Sequence, residues 1–173
     1  MKRSLLALLL AAGLSACTTT PAPAGKAADY PQARAYTTSA DTDAMAEVDA
    51  ALAAAQTSGK RVLIAMGANW CHDSRALAGW LETPRFAALI AEQYELVYVN
   101  VGMPQTGDAN NLDVARRFGI DVLEGTPTVM VVSPEGTLLN RDTAKTWRNA
   151  ASRSEDAIFE ELALLARAES VAD

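Results

Sequence analysis

Histidine and cysteine are scarce in this chain, whose 173 residues include one His and two Cys. Those counts exclude a zinc site built from four cysteines or from two cysteines and two histidines, a di-histidine metal site and a Ser-His-Asp triad with a histidine to spare. No metal and no cofactor is expected. Aromatic residues make up 6%, and the opening apolar run, Leu5 to Ala12, is far short of the roughly 20 residues that span a bilayer. Positive charge is thin as well: 15 Lys and Arg stand against 21 Asp and Glu, for a net charge of −6. The basic residues are scattered, so no stripe exists that could neutralise a row of phosphates, and nucleic acid is not expected as a partner. Against these absences stand 50% hydrophobic and 21% charged residues, the composition of a globular protein with material for one core.

Residues 1–16 have the form of an export signal, with Lys2 and Arg3 ahead of the short apolar run. The segment Leu14-Ser15-Ala16-Cys17 that follows resembles the lipobox of bacterial lipoproteins. The resemblance implies cleavage before Cys17 and lipidation of that cysteine. An ordinary signal peptide cut after Ala16 would want a small side chain where Leu14 stands. Thr18 follows the lipidated position in place of Asp, which by resemblance to Gram-negative sorting favours the outer membrane. The expected location is therefore the cell envelope, facing the periplasm, with membrane contact through the lipid anchor only. Cys71 is then the one remaining thiol in a compartment that makes disulfides, and no internal structural disulfide is possible.

Residues 17–40 are Thr-, Ala- and Pro-rich, with Pro21, Pro23 and Pro31 and no sustained period. They are expected to form a flexible tether reaching about 70 Å at roughly 3.1 Å per residue, in which Ala33 to Tyr36 is a candidate edge strand. The domain is expected over 41–173. Met45, Val48, Leu52 and Ala55 recur at helical spacing, with Asp41 to Asp43 offering N-cap oxygens and Gly59 placed to end the helix, predicting a helix over 43–57. Arg61 to Met66 suits a buried strand. A helix should begin near Cys71 with Leu77 and Leu81 inward, and restart at Thr83-Pro84 with Thr83 as cap. A strand over Glu95 to Val101, a loop over 102–111 and a short helix over Leu112 to Phe118 follow. Strands over Thr128 to Val132 and Thr137 to Leu139 are joined by the turn Ser133-Pro134-Glu135-Gly136. A last helix starts from Ser154 and carries Ile158, Leu162, Leu165 and Ala166. This order implies an α/β fold in which a mixed central sheet is covered by helices on both faces.

Chemical content concentrates in Trp70-Cys71-His72-Asp73-Ser74, where a strand gives way to a helix. The free N–H groups and positive dipole end of the helix favour thiolate over thiol at Cys71. The plainer alternative is a buried, inert cysteine. His72 in its cationic form would add to thiolate stabilisation or else be a solvated first-turn residue. It is no protease-type base, because positions i and i+1 on a helix do not face each other. Asp73 opposes thiolate formation by its own charge. Ser74 is either a hydrogen-bond donor to the thiolate or a cap, and Trp70 either a rim or a core residue.

Trp70-Cys71-x-x-Ser74, with Gly125-Thr126-Pro127-Thr128 ahead of the hairpin, resembles the thioredoxin family over about residues 43–168. The resemblance implies a thioredoxin-like three-layer α/β/α sandwich, a cis Pro127 beside Cys71, and a Thr126 backbone that pairs with an extended substrate. Phe118-Gly119-Ile120 also looks like a family segment, although Asp121 to Glu124 lengthens the connection after it. Two departures bear on mechanism. Ser74 replaces the second cysteine, and Ala65 stands where many members carry a buried acid. A mixed disulfide at Cys71 then has no internal thiol to resolve it.

The expected activity is thiol-disulfide exchange through Cys71, with protein or small-molecule thiols and disulfides as substrates and an external thiol for release. The alternative is a redox-inactive peptide-binding module around Trp70, Thr126 and Pro127. Copper delivery lacks the usual pair of thiolates.

Overall fold

The computed structural model describes residues 30–37 and 43–168. The signal segment, Cys17 and most of the expected tether lie outside the described residues. Helix α1 (Ala44–Ser58) opens where the Asp43 carboxylate accepts the Ala46 N–H at 3.0 Å and closes at Gly59, whose φ of 75° suits glycine. Strand β1 (Arg61–Gly67) leads into α2 (His72–Leu81) and α3 (Pro84–Gln93), and the chain returns as β2 (Tyr94–Asn100). Thr83 precedes α3 as expected, but its hydroxyl donates back to the Trp80 carbonyl at 2.9 Å and caps nothing. After a small hairpin, β3 (Gly102–Met103) and β4 (Asp108–Ala109), come α4 (Leu112–Arg117), β5 (Thr128–Val132), a pair of 3-10 turns over Thr146–Ser152, and α5 (Glu155–Leu165).

The central sheet has the order β2-β1-β5, with β1 parallel to β2 and antiparallel to β5. Side chains of a strand alternate between faces, and the two halves of the core follow that alternation. Val62, Ile64, Met66, Val97, Val99, Met130 and Val132 face α1 and α4. Leu63, Tyr94, Val129 and Val131 face α2, α3, α5 and the 3-10 turns, meeting Leu77, Phe86, Trp147 and Ile158. The result is the expected thioredoxin-like sandwich of three layers with a mixed sheet.

Three further expectations change. The loop over 102–111 contains the β3–β4 hairpin, placed against the site by Trp70. The second hairpin strand, Thr137 to Leu139, shrinks to a single bridge between Val132 and Leu138. The Asn140 side chain takes over the next ladder positions, accepting the Val131 N–H at 2.8 Å and donating to the Val129 carbonyl at 2.9 Å. Finally, residues 30–37 lie on the domain, with Tyr36 at 1% exposure. They form no edge strand; Ala33 N–H donates to the Arg75 carbonyl of α2 at 3.0 Å.

Candidate active site

The register of β5 on β1 builds the site. Met66 near the end of β1 lies opposite Thr128 at the start of β5, so the residues just after one strand meet those just before the other. Cys71 occupies the N-cap of α2 with extended backbone (φ −79°, ψ 122°) and leaves the first-turn N–H groups uncapped by any side chain. Its thiol is buried at 8% exposure and donates to the Thr126 carbonyl at 3.3 Å. The Thr126–Pro127 bond is cis. Cys71, Thr126 and Pro127, separated by more than fifty residues, therefore form one locus.

The remaining expected residues divide around it. Trp70 lies on the rim, 45% exposed, and its indole N–H donates to the Gly102 carbonyl at 2.7 Å. That bond ties the β3–β4 hairpin to the site. Ser74 is fully buried beneath Cys71 in the first turn of α2, and its hydroxyl has no hydrogen-bond partner of standard geometry. The His72 imidazole is mostly exposed and lies 3.3 Å from the Asp73 carboxylate, its one polar partner among the described residues. Asp73 turns its other oxygen inward, where it accepts the Ala151 N–H at 2.8 Å and ties α2 to the 3-10 turns. Asp73 is thus an anchor, a role the sequence did not suggest. Ala65 is fully buried, in register with Tyr98 on one side and Val129 on the other.

Sequence reasoning missed the strap formed by residues 30–37. Asn69 holds Tyr36 at two points, accepting its N–H at 3.2 Å and donating to its carbonyl at 2.5 Å. Arg75 binds Gln32 at 2.9 Å and the Asn69 carbonyl at 2.9 Å. The Tyr36 ring packs edge-on against Tyr98, with centroids 5.4 Å apart. Burial foremost, and then the Tyr98 phenol, raise the Tyr36 pKa far above its ordinary value. The one signal in sequence was a pair of tyrosines, Tyr30 and Tyr36, in an otherwise small and polar stretch. The Asp121–Glu124 segment borders an open depression lined by Gly119, Arg141 and Lys145. Hydrogen bonding to Lys145 at 2.9 Å lowers the Glu124 pKa below its ordinary value.

Among the described residues, no three His, Cys, Asp or Glu side chains converge as a metal site, and no helix is long and apolar enough to cross a membrane. A family model described as thioredoxin-like matches residues 43–134, more than half of the chain. The chain belongs to the thioredoxin-like family. It is also similar to the disulphide isomerase from Xylella fastidiosa Temecula1 as seen in its crystal structure. The two share 32% identity over 77% of this chain and 98% of the other, with a TM-score of 0.67. No curated protein matches the chain.

Proposed function

We propose that this protein is a monothiol thiol-disulfide oxidoreductase of the Gram-negative cell envelope, held there by a lipid on Cys17. One observation carries the reading: Cys71 is a free thiol at a helix N-cap, touching Thr126, with the buried hydroxyl of Ser74 where a resolving sulfur would sit. The Cys71 thiolate attacks one sulfur of a client disulfide. That S–S bond breaks, a new S–S bond joins Cys71 to the client, and the displaced sulfur leaves as a thiolate that takes up a proton. Ser74 cannot attack the mixed disulfide. An external thiolate does, forming its own disulfide with the client sulfur and returning Cys71 as a thiol, so disulfides and thiols balance on each side. The client's own second thiol can serve in that step, which amounts to the reshuffling implied by the name of the Xylella protein.

His72 and the first-turn N–H groups favour the thiolate in this reading, while Trp70, Thr126 and Pro127 form the surface that receives the client. The competing reading, a redox-inactive peptide-binding module, draws support from the burial of Cys71 and from its thiol hydrogen bond to Thr126. Glutathione disulfide separates the two. The full chain should acquire a glutathione adduct that maps to Cys71 and is absent in Cys71→Ala; a chain that stays unmodified would leave only the binding module. For the anchor, Cys17→Ser should move the protein from the membrane fraction to the soluble one, and retention in the membrane would refute lipidation.

A further inference from the structure

We propose that Tyr36 is a positioning residue for Cys71 that acts through Ser74: the phenol donates to the Ser74 hydroxyl, which donates in turn to the Cys71 thiolate. The proposal rests on the reading of Cys71 as a nucleophile and adds to it a residue from the strap.

The Tyr36 and Ser74 hydroxyls are buried, and neither has a hydrogen-bond partner of standard geometry among the described residues. A buried hydroxyl left unpaired is costly, so such a pair calls for an explanation. Both converge on one point. A Cβ on Gly67 would lie 2.6 Å from Ser74 Oγ and 2.7 Å from Tyr36 Oη, so both oxygens border the same space, which only glycine leaves open. Cys71 is the N-cap of α2 and Ser74 follows three residues later, the spacing at which side chains share a face of a helix's first turn.

The resting thiol donates its S–H hydrogen bond to the Thr126 carbonyl. That carbonyl suits a thiol and repels a thiolate, so donors for the charged form must come from the opposite side. Ser74 has one hydroxyl hydrogen and can spend it on sulfur while its own lone pair receives a proton donor. Tyr36 is that donor. Burial foremost, and then Tyr98, keep its phenol neutral; of the smaller causes the Ser74 hydroxyl acts against that rise and the charge on Cys71 adds to it, so the phenol lies within reach of both groups. Two hydrogens among two oxygens and one sulfur then fit one direction of donation, toward Cys71.

Other charged groups near Cys71 are accounted for. His72 and Asp73 lie on its own helix and pair with each other. Tyr98 of β2 stands behind Tyr36. The Arg75 guanidinium is committed to Gln32 and to the carbonyls of Asn69 and Trp70. Residues 125–128, which bring Thr126 to the thiol, carry no charge.

The test is the pH profile of iodoacetamide alkylation of Cys71 in the full chain, in wild type, Tyr36→Phe, Ser74→Ala and the double variant. The midpoint is read in place of the rate, because nucleophilicity falls as the thiolate becomes easier to form. Tyr36→Phe keeps the ring and its packing, so a purely structural role would leave the midpoint where it is. The relay predicts about threefold less thiolate at a given pH in Tyr36→Phe and about tenfold less in Ser74→Ala. The double variant should match Ser74→Ala alone, because residues acting in series are not additive. A Tyr36→Phe profile that overlays wild type, or additive single effects, would overturn the relay. Should Tyr36→Phe fail to fold, Ser74→Ala decides alone, and an unmoved midpoint there refutes the proposal. A glutathione adduct with unmoved midpoints sinks the relay and spares the oxidoreductase reading; moved midpoints without an adduct do the reverse.

Discussion

Gly79 of α2 lies directly against the backbone of Pro31: a methyl group at position 79 would collide with the Pro31 carbonyl and stand 2.7 Å from the Gln32 nitrogen. The obstacle is main chain, which cannot rotate aside as a flexible side chain does. Gly79→Ala should therefore push the strap off α2 at a cost of about 1–3 kcal/mol. Trypsin should then cut faster after the exposed Arg34. Unchanged melting together with unchanged cleavage would show that the strap does not depend on this contact.

Ser74→Cys should restore a dithiol site. A sulfur at position 74 would lie beneath Cys71, three residues along the same helix, where related enzymes form a reversible disulfide. The variant should reduce insulin with dithiothreitol, while wild type should do so poorly and accumulate more of the mixed disulfide. A Ser74→Cys protein with two free thiols under oxidising conditions and no gain in turnover would count against the proposed chemistry.

Asn140 stands in for the missing length of strand beside β5, where its amide pairs with the Val131 N–H and the Val129 carbonyl. Asn140→Ala strands both groups in the core, at about 1–3 kcal/mol for each. Asn140→Asp should be no better, because it keeps the acceptor and sets a carboxylate oxygen against the Val129 carbonyl. Chemical denaturation measures both, and a loss below about 0.5 kcal/mol in either variant would contradict the assigned role.

Alkaline pH should unfold the domain through its tyrosines. Burial, first among the causes in each case, raises the pKa of Tyr36, Tyr94 and Tyr98 above the ordinary value of 10.0. The Tyr94 phenol also donates to the Leu162 carbonyl at 2.6 Å. The fold thus favours neutral phenols. Their stabilisation is complete below the unfolded tyrosine value and is lost as pH rises through the raised folded values. Phenolate absorbance from these residues should appear together with the loss of circular dichroism. Full ionisation of all three in a chain that stays folded would disprove it.

Much of the architecture was legible because its causes are local. The apolar spacing of Val48, Leu52 and Ala55, the Asp43 cap on the Ala46 N–H and the left-handed Gly59 on the Ala55 carbonyl are each set within about one turn of chain. The same holds for Ser154, whose hydroxyl accepts the Ala157 N–H at 3.2 Å and starts α5. Cys71 at a strand-to-helix junction was equally plain, and the second motif, Thr126-Pro127, could be set beside it through the family resemblance.

The amino-acid sequence by itself determined the order of the main helices and of the three central strands, the two-faced sheet and the identity of the one described thiol, because periodicity, caps and turns are encoded between near neighbours. Tertiary structure alone decided the strap and the anchoring contacts around that thiol. Tyr36 meets Asn69 across 33 residues and Asp73 meets Ala151 across 78, and neither pairing leaves a periodic trace in the chain. The Asn140 amide completes β5 only because the fold brings it to a strand edge. Such contacts follow from which surfaces the packed layers bring together.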